Sequence, residues 1–100
     1  MSITPLFRWS SGEYAGFLYQ GCIFERDGGY LGWVEPNTSA WRTNGHFWGQ
    51  LVEGCYLMRY DAYPEPSGMV PRIPPIAPMP PSEPGARPGR ATVPGWSEAL

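Results

Sequence analysis

An all-β fold of short antiparallel hairpins is what the first sixty residues of this 100-residue chain predict. Three observations carry it. One unit recurs at an interval near sixteen residues, as Phe7 to Leu18, Ile23 to Val34 and Ala40 to Leu51. Each copy holds a turn ending in Gly (Gly12, Gly28, Gly45), then an aromatic, then a second Gly (Gly16, Gly32, Gly49). Around each turn, apolar residues alternate with the period of two that sends successive side chains to opposite faces of a sheet. An interval of that length is one hairpin plus its connection, so the chain reads as an array of hairpins.

The elements follow in order. Ser11-Gly12 turns the first hairpin, Asp27-Gly28 the second and Asn44-Gly45 the third. Asn-Gly and Asp-Gly are strong signals for a two-residue type I′ turn, which needs positive φ at both central positions. With those pairs as turn centres, Glu25 faces Tyr30, Phe24 faces Leu31 and Ile23 faces Gly32. One face then carries Phe7, Ile23 and Ala40 opposite Gly16, Gly32 and Gly49, with Tyr14, Tyr30, Phe47, Leu18, Val34 and Leu51 beside them. A repeated Gly opposite a larger residue indicates close approach of a neighbouring hairpin, or a bulge where the strand bends. The other face changes from copy to copy: Arg8, Ala15 and Phe17, then Phe24, Leu31 and Trp33, then Trp41, Trp48 and Gln50. In the second and third copies it is too apolar to be simply wet.

A fourth copy begins at Gly54-Cys55-Tyr56-Leu57-Met58-Arg59, with Tyr56 in phase with Phe7, Ile23 and Ala40, and then stops. A strand from elsewhere can complete the array, and the N-terminal segment around Ile3 is the expected donor. Composition changes at residue 64. Residues 1–63 read as the hairpin domain, and 64–100 hold eleven of the thirteen prolines. Proline fixes φ and removes a backbone donor, so this segment is expected to stay out of the sheet, as an extended or disordered tail. Its apolar residues Met69, Val70, Ile73, Ile76, Met79 and Trp96 exceed what a spacer needs, and the tail is expected to lie on Trp33, Trp41 or Trp48, within one chain or on a neighbouring subunit.

The turn glycines, with Tyr14-Ala15-Gly16-Phe17, Tyr30-Leu31-Gly32-Trp33 and Phe47-Trp48-Gly49-Gln50, resemble the hairpin unit of the four-fold β-flower family. The resemblance spans residue 5 to about residue 60. These small, mostly bacterial proteins set four hairpin-like repeats around a pseudo-four-fold axis. The resemblance implies a fold and carries no activity or catalytic residues.

Composition narrows the function. A net charge of −2, with seven scattered Arg and no Lys, lacks the basic face that nucleic acid requires. No apolar stretch is long enough for a membrane helix, and Met1 to Pro5 does not read as a signal peptide, so the expected setting is cytoplasmic with no membrane partner. Cys22 and Cys55 then read as reduced thiols packed near strand starts. Two Cys and one His (His46, at a hairpin tip) offer neither a zinc ligand set nor a nucleophile with its base. Glu13, Glu25, Asp27, Glu35 and Glu53 are scattered loop charges. No cofactor, metal or catalytic residue is expected, and the chain does not read as an enzyme. What remains is an interaction or assembly module, acting through a protein partner or self-association. Its candidate face is Phe24, Trp33, Trp41 and Trp48. The same rings offer a second reading, an aromatic pocket for a small ligand. A third is the tail motif Arg72, Pro75 and Pro78, which fits the R-x-x-P-x-x-P pattern bound by SH3-type domains.

Overall fold

The computed structural model describes residues 3–35, 38–62, 66–71, 73, 76, 78–80 and 84–100. Among them there is no helix. The strands are β1 (Thr4–Phe7), β2 (Tyr14–Tyr19), β3 (Cys22–Glu25), β4 (Tyr30–Val34), β5 (Ser39–Arg42), β6 (Phe47–Val52), β7 (Tyr56–Tyr60) and β8 (Trp96–Glu98). Each pairs with the next in chain order, all antiparallel. β1 also meets β7 in parallel at Phe7 and Tyr56, so the first seven strands close into a barrel. The Phe7 N–H donates to the Cys55 carbonyl at 2.8 Å at that seam.

The turns lie where expected but are of another type. Gly28 and Gly45 have φ of 99° and 86°, whereas Asp27 and Asn44 are not in the positive-φ region. The Gly28 N–H donates to Glu25 O (2.9 Å) and the Glu25 N–H to Gly29 O (2.7 Å). Arg42, Gly45 and His46 repeat both bonds at 2.8 Å. These are three-residue loops, a turn closed by one left-handed Gly. The two-residue turns with both φ positive lie at the other ends of the strands, at Gln20-Gly21 (50° and 74°) and Glu53-Gly54 (55° and 75°).

That odd residue shifts the register. Leu6 pairs with Gly16 but Phe7 with Tyr14; Ile23 pairs with Gly32 but Phe24 with Tyr30; Ala40 pairs with Gly49 but Trp41 with Phe47. Ala15, Leu31 and Trp48 are the bulged residues, one per hairpin at the same place. The Ile23–Gly32 pair is as expected. Phe24 faces Tyr30, however, where Leu31 is expected, because Leu31 is bulged out of the strand that follows the turn.

The bulge also re-sorts the two faces. Leu6, Ile23, Ala40 and Leu57 recur at a constant interval of 17 residues and are 0–2% exposed. They form one cluster with Trp48, flanked by Leu18, Leu31, Val34 and Leu51. Leu6 therefore takes the place expected for Phe7, and Leu57 that expected for Tyr56. Tyr14, Tyr30 and Phe47 pack on the opposite side, with Phe7 and Tyr56 or with Phe24, Trp33 and Trp41. The repeated glycines do mark close approach. A Cβ on Gly16, Gly32 or Gly49 would overlap the backbone carbonyl of Phe24, Trp41 or Met58, in each case on the next strand pair along the sheet.

The unfinished fourth copy is completed from the far end of the chain. β8 lies antiparallel on β7, with Met58 opposite Glu98 and Tyr60 opposite Trp96, and the Ala99 N–H continues the ladder to Leu57 O at 3.0 Å. The donor is thus C-terminal, while the N-terminal strand β1 supplies the barrel seam. β8 joins the sheet because the last proline is Pro94 and the residues after it keep their backbone donors. Gly95, at φ 86°, accepts a bond from the Asp61 N–H at 2.6 Å, as Gly29 and His46 accept the closing bonds of their hairpins. Residues 61–95 thus replace a three-residue turn.

The connecting segment returns past the hairpin tips in reverse order. The Met69 N–H bonds to Gly45 O (2.8 Å), Pro80 lies against Gly28, the Arg87 N–H bonds to Gly12 O (2.8 Å), and the Arg90 N–H bonds to Trp9 O (3.0 Å). Two glycines separate these effects. Gly32→Ala sets a Cβ into the Trp41 carbonyl and is expected to cost about 2 kcal/mol or more. Gly85→Ala meets nothing within 4 Å and is expected to stay within about 0.5 kcal/mol of the parent. Urea unfolding of both variants checks the pair.

Candidate functional site

The four candidate aromatics lie inside the fold. Trp33, Phe24, Trp41 and Trp48 are 0%, 1%, 4% and 6% exposed. Phe24, Trp33 and Trp41 cluster with Phe17, Cys22 and Phe47, whereas the bulged Trp48 packs with Leu6, Ile23 and Ala40. The face expected to be shared is therefore divided. The indole donors are also satisfied internally: Trp33 Nε1 to Glu35 Oε1 at 3.1 Å, Trp41 Nε1 to Glu35 O, and Trp48 Nε1 to Ala99 O at 2.8 Å. Buried rings with occupied N–H groups make a core rather than a cage. Met69 packs against the Trp33–Trp41 cluster, and Ala99 and Leu100 against the Trp48 cluster, so the C-terminal segment does reach these rings.

Arg serves this packing in a way Lys would not. Arg87 lies 4.4 Å from the Phe7 ring centre, Arg90 lies 4.9 Å from Trp9 and 5.1 Å from Tyr56, and Arg42 lies 5.1 Å from Trp48. A planar guanidinium stacks on an aromatic face while its N–H groups still reach acceptors at the edge. Arg90 does so with Glu53 (2.6 Å), and Arg87 with Cys55 Sγ (3.2 Å). Cys22 and Cys55 are both buried, in different clusters, and are not joined in a disulfide. His46 is exposed at its tip, with its N–H on Asn44 Oδ1 at 3.0 Å.

β8 is held to the first hairpin by charge and hydrogen bonds. The Ser10 hydroxyl donates to Glu98 Oε2 (2.7 Å), the Ser10 N–H donates to Glu98 Oε1 (3.0 Å), and Arg8 Nη1 donates to Leu100 O (2.7 Å). The Ser10 hydroxyl bond is the largest influence holding the Glu98 carboxyl below its ordinary range. Partial burial opposes it, and Arg8 adds a smaller push downward.

Two surface features remain. An apolar cleft of about 200 Å³ is lined by Trp9, Val52, Met58, Val93 and Trp96, where the first hairpin's tip, β6, β7 and the returning segment meet. On the segment itself, Val70, Ile73, Ile76 and Met79 stand in solvent at 85%, 95%, 94% and 87% exposure. Of the expected tail motif, Arg72 and Pro75 lie outside the described residues, and Pro78 is half-buried. Neither feature was expected from the sequence in this form, although the interval of three from Val70 to Met79 is legible in it. Among the described residues, no group of three or more His, Cys, Asp or Glu is placed to hold a metal ion, and no helix is long and apolar enough to cross a membrane.

No family model matches the chain, and neither the curated proteins nor the solved structures give a match.

The Glu98 contact gives a pH prediction with a definite sign. A carboxyl whose folded value is depressed contributes stability at pH above its ordinary range, and that contribution is lost as pH falls through the lowered folded value. Acid should therefore loosen β8 before the hairpins open. Glu98→Gln should lower stability at neutral pH and flatten the dependence below the carboxylate range, as read by thermal unfolding across a pH series.

Proposed function

We propose that this chain is a non-enzymatic protein-interaction module, in which the hairpin barrel is the mount and the Pro-rich segment is the presented surface. One observation carries the reading: four large apolar residues, at a constant interval of three, are each at least 85% exposed. Exposed apolar side chains scattered singly need no explanation, but an ordered row of them does. Three residues make one turn of a polyproline II helix, so Val70, Ile73, Ile76 and Met79 fall along one edge of such a ribbon, spanning roughly 28 Å at about 3.1 Å per residue. Prolines between them limit the backbone freedom lost on binding, which favours recognition by an aromatic-lined groove.

The mount adds to that economy. Contacts at Gly45 and Gly28 bracket the row, so its two ends are positioned before any partner arrives. The candidate aromatics Phe24, Trp33, Trp41 and Trp48 serve in this reading as the core that holds the mount together. The 17-residue interval, and Gly16, Gly32, Gly49 and Ala99 at matching places, support the β-flower reading of the array as four hairpin units around one axis, the fourth split by the Pro-rich segment. The SH3-type motif overlaps the same row, and Ile73 and Ile76 belong to both.

A photo-crosslinking residue at position 76, in cells that make the protein, is expected to give a discrete adduct. The same residue at position 13, on an exposed hairpin tip, is expected to give none. Equal labelling at both positions, or none at 76, contradicts the reading. Ile73→Ser with Ile76→Ser should leave the melting temperature unchanged while removing the adduct formed from a crosslinker at position 79.

A further inference from the structure

The geometry points to a partner for the exposed row in a second copy of this chain: the row of one molecule seats in the apolar cleft between Trp9 and Trp96 of another. This rests on the reading above, that the row is the presented surface, and it names the occupant.

The cleft is formed before binding. Trp9 is held by its indole N–H on Ala91 O (2.8 Å) and by an edge-to-face contact with Tyr56 (5.0 Å). Trp96 packs on Tyr60 with ring centres 5.1 Å apart. Val52 and Val93 complete the walls, and Met58, buried in the neighbouring cluster, forms the floor. Two tryptophans flanking aliphatic walls make the kind of surface on which proline-rich ribbons pack, with an alkyl side chain entering between the rings.

A molecule is not arranged to fill its own cleft. Its row is fixed between Met69, bonded to the third hairpin's tip, and Pro80, against the second hairpin's tip. The cleft lies between the first hairpin's tip and the β7–β8 pair. Row and cleft are therefore separate apolar patches of one surface. Contact between such patches is head-to-tail, and it leaves one row and one cleft unfilled unless the assembly closes into a ring.

The test is sedimentation of the full chain over a dilution series, with two variants on exposed positions. The parent should sediment above monomer mass, rising with concentration. Ile76→Asp blunts the row and Val93→Arg blocks the cleft, and each alone should sediment as a monomer with an unchanged melting temperature. Mixed in equal amounts, the two should form a 1:1 dimer and nothing larger, because the mixture holds one intact row and one intact cleft. A parent that is monomeric throughout overturns the inference, as do variants that associate like the parent or a mixture that stays monomeric. If the parent is monomeric while position 76 still crosslinks to another protein, the second copy is excluded and the exposed row stands as an interaction surface. If neither association nor crosslinking occurs, both readings fall.

Discussion

Backbone lies on backbone wherever one hairpin meets the next, and the rest of the structure depends on that contact. Gly16, Gly32 and Gly49 each leave room for a carbonyl of the following strand, at Phe24, Trp41 and Met58. Any larger side chain would push the strands apart there. Beside each glycine sits a bulged residue, and the bulge bends the strand and strengthens its twist. Together these let short strands, four to six residues long, turn around a common centre and return β7 to β1. The bulge also divides the aromatics. Phe24 and Trp41 pair with Tyr30 and Phe47 on one side, while Trp48 is turned to the other, among Leu6, Ile23 and Ala40. A small domain gains stability by burying many rings per residue, and here that takes two distinct packed layers.

The same contact explains the Pro-rich segment. A fourth hairpin is needed beside β7, and its second strand arrives only after residues 61–95 have passed the other three tips. Ala99 then takes the place that glycine holds elsewhere, bonded to Leu57. The turn glycines answer to two demands at Gly12 and Gly45, where φ is positive and a Cβ would also overlap the carbonyl of Arg87 or Met69. Among the described residues, the segment meets the barrel through backbone hydrogen bonds at Met69, Arg87 and Arg90, through Arg87 and Arg90 on aromatic rings, and through the Met69 side chain. Its outward row is what distinguishes it from a strap alone.

Much of this was legible. The repeat, the turn positions, the Ile23–Gly32 pairing and the meaning of the repeated glycines follow from residue types at fixed intervals. The loop type did not follow, because Asp-Gly and Asn-Gly suit both a two-residue turn and a three-residue loop with one left-handed Gly. One extra residue decides between them and exchanges the faces of Tyr14, Tyr30, Phe47 and Trp48, while Phe24, Trp33 and Trp41 keep theirs. The constant interval from Leu6 to Leu57 was the stronger guide to phase than the aromatics. β8 was not legible either. A three-residue strand pairing across thirty-five residues leaves no local signature, and the density of proline before it argued against any sheet. For the candidate site, Trp48 packs against Ala99 and Leu100 beyond β8 and the Trp33–Trp41 cluster against Met69, contacts that leave no local signature either.

Native-state amide hydrogen exchange on the intact chain measures directly whether the Pro-rich segment and its return strand are part of the fold. The amides of Met69, Arg87 and Ala99, and that of Asp61 bonded to Gly95, should exchange slower than unstructured chain by roughly two orders of magnitude or more. Their protection should fall in step with that of the hairpin amide of Arg42 as denaturant is added. Exchange of those four amides at unstructured rates, with Arg42 still protected, would contradict the account.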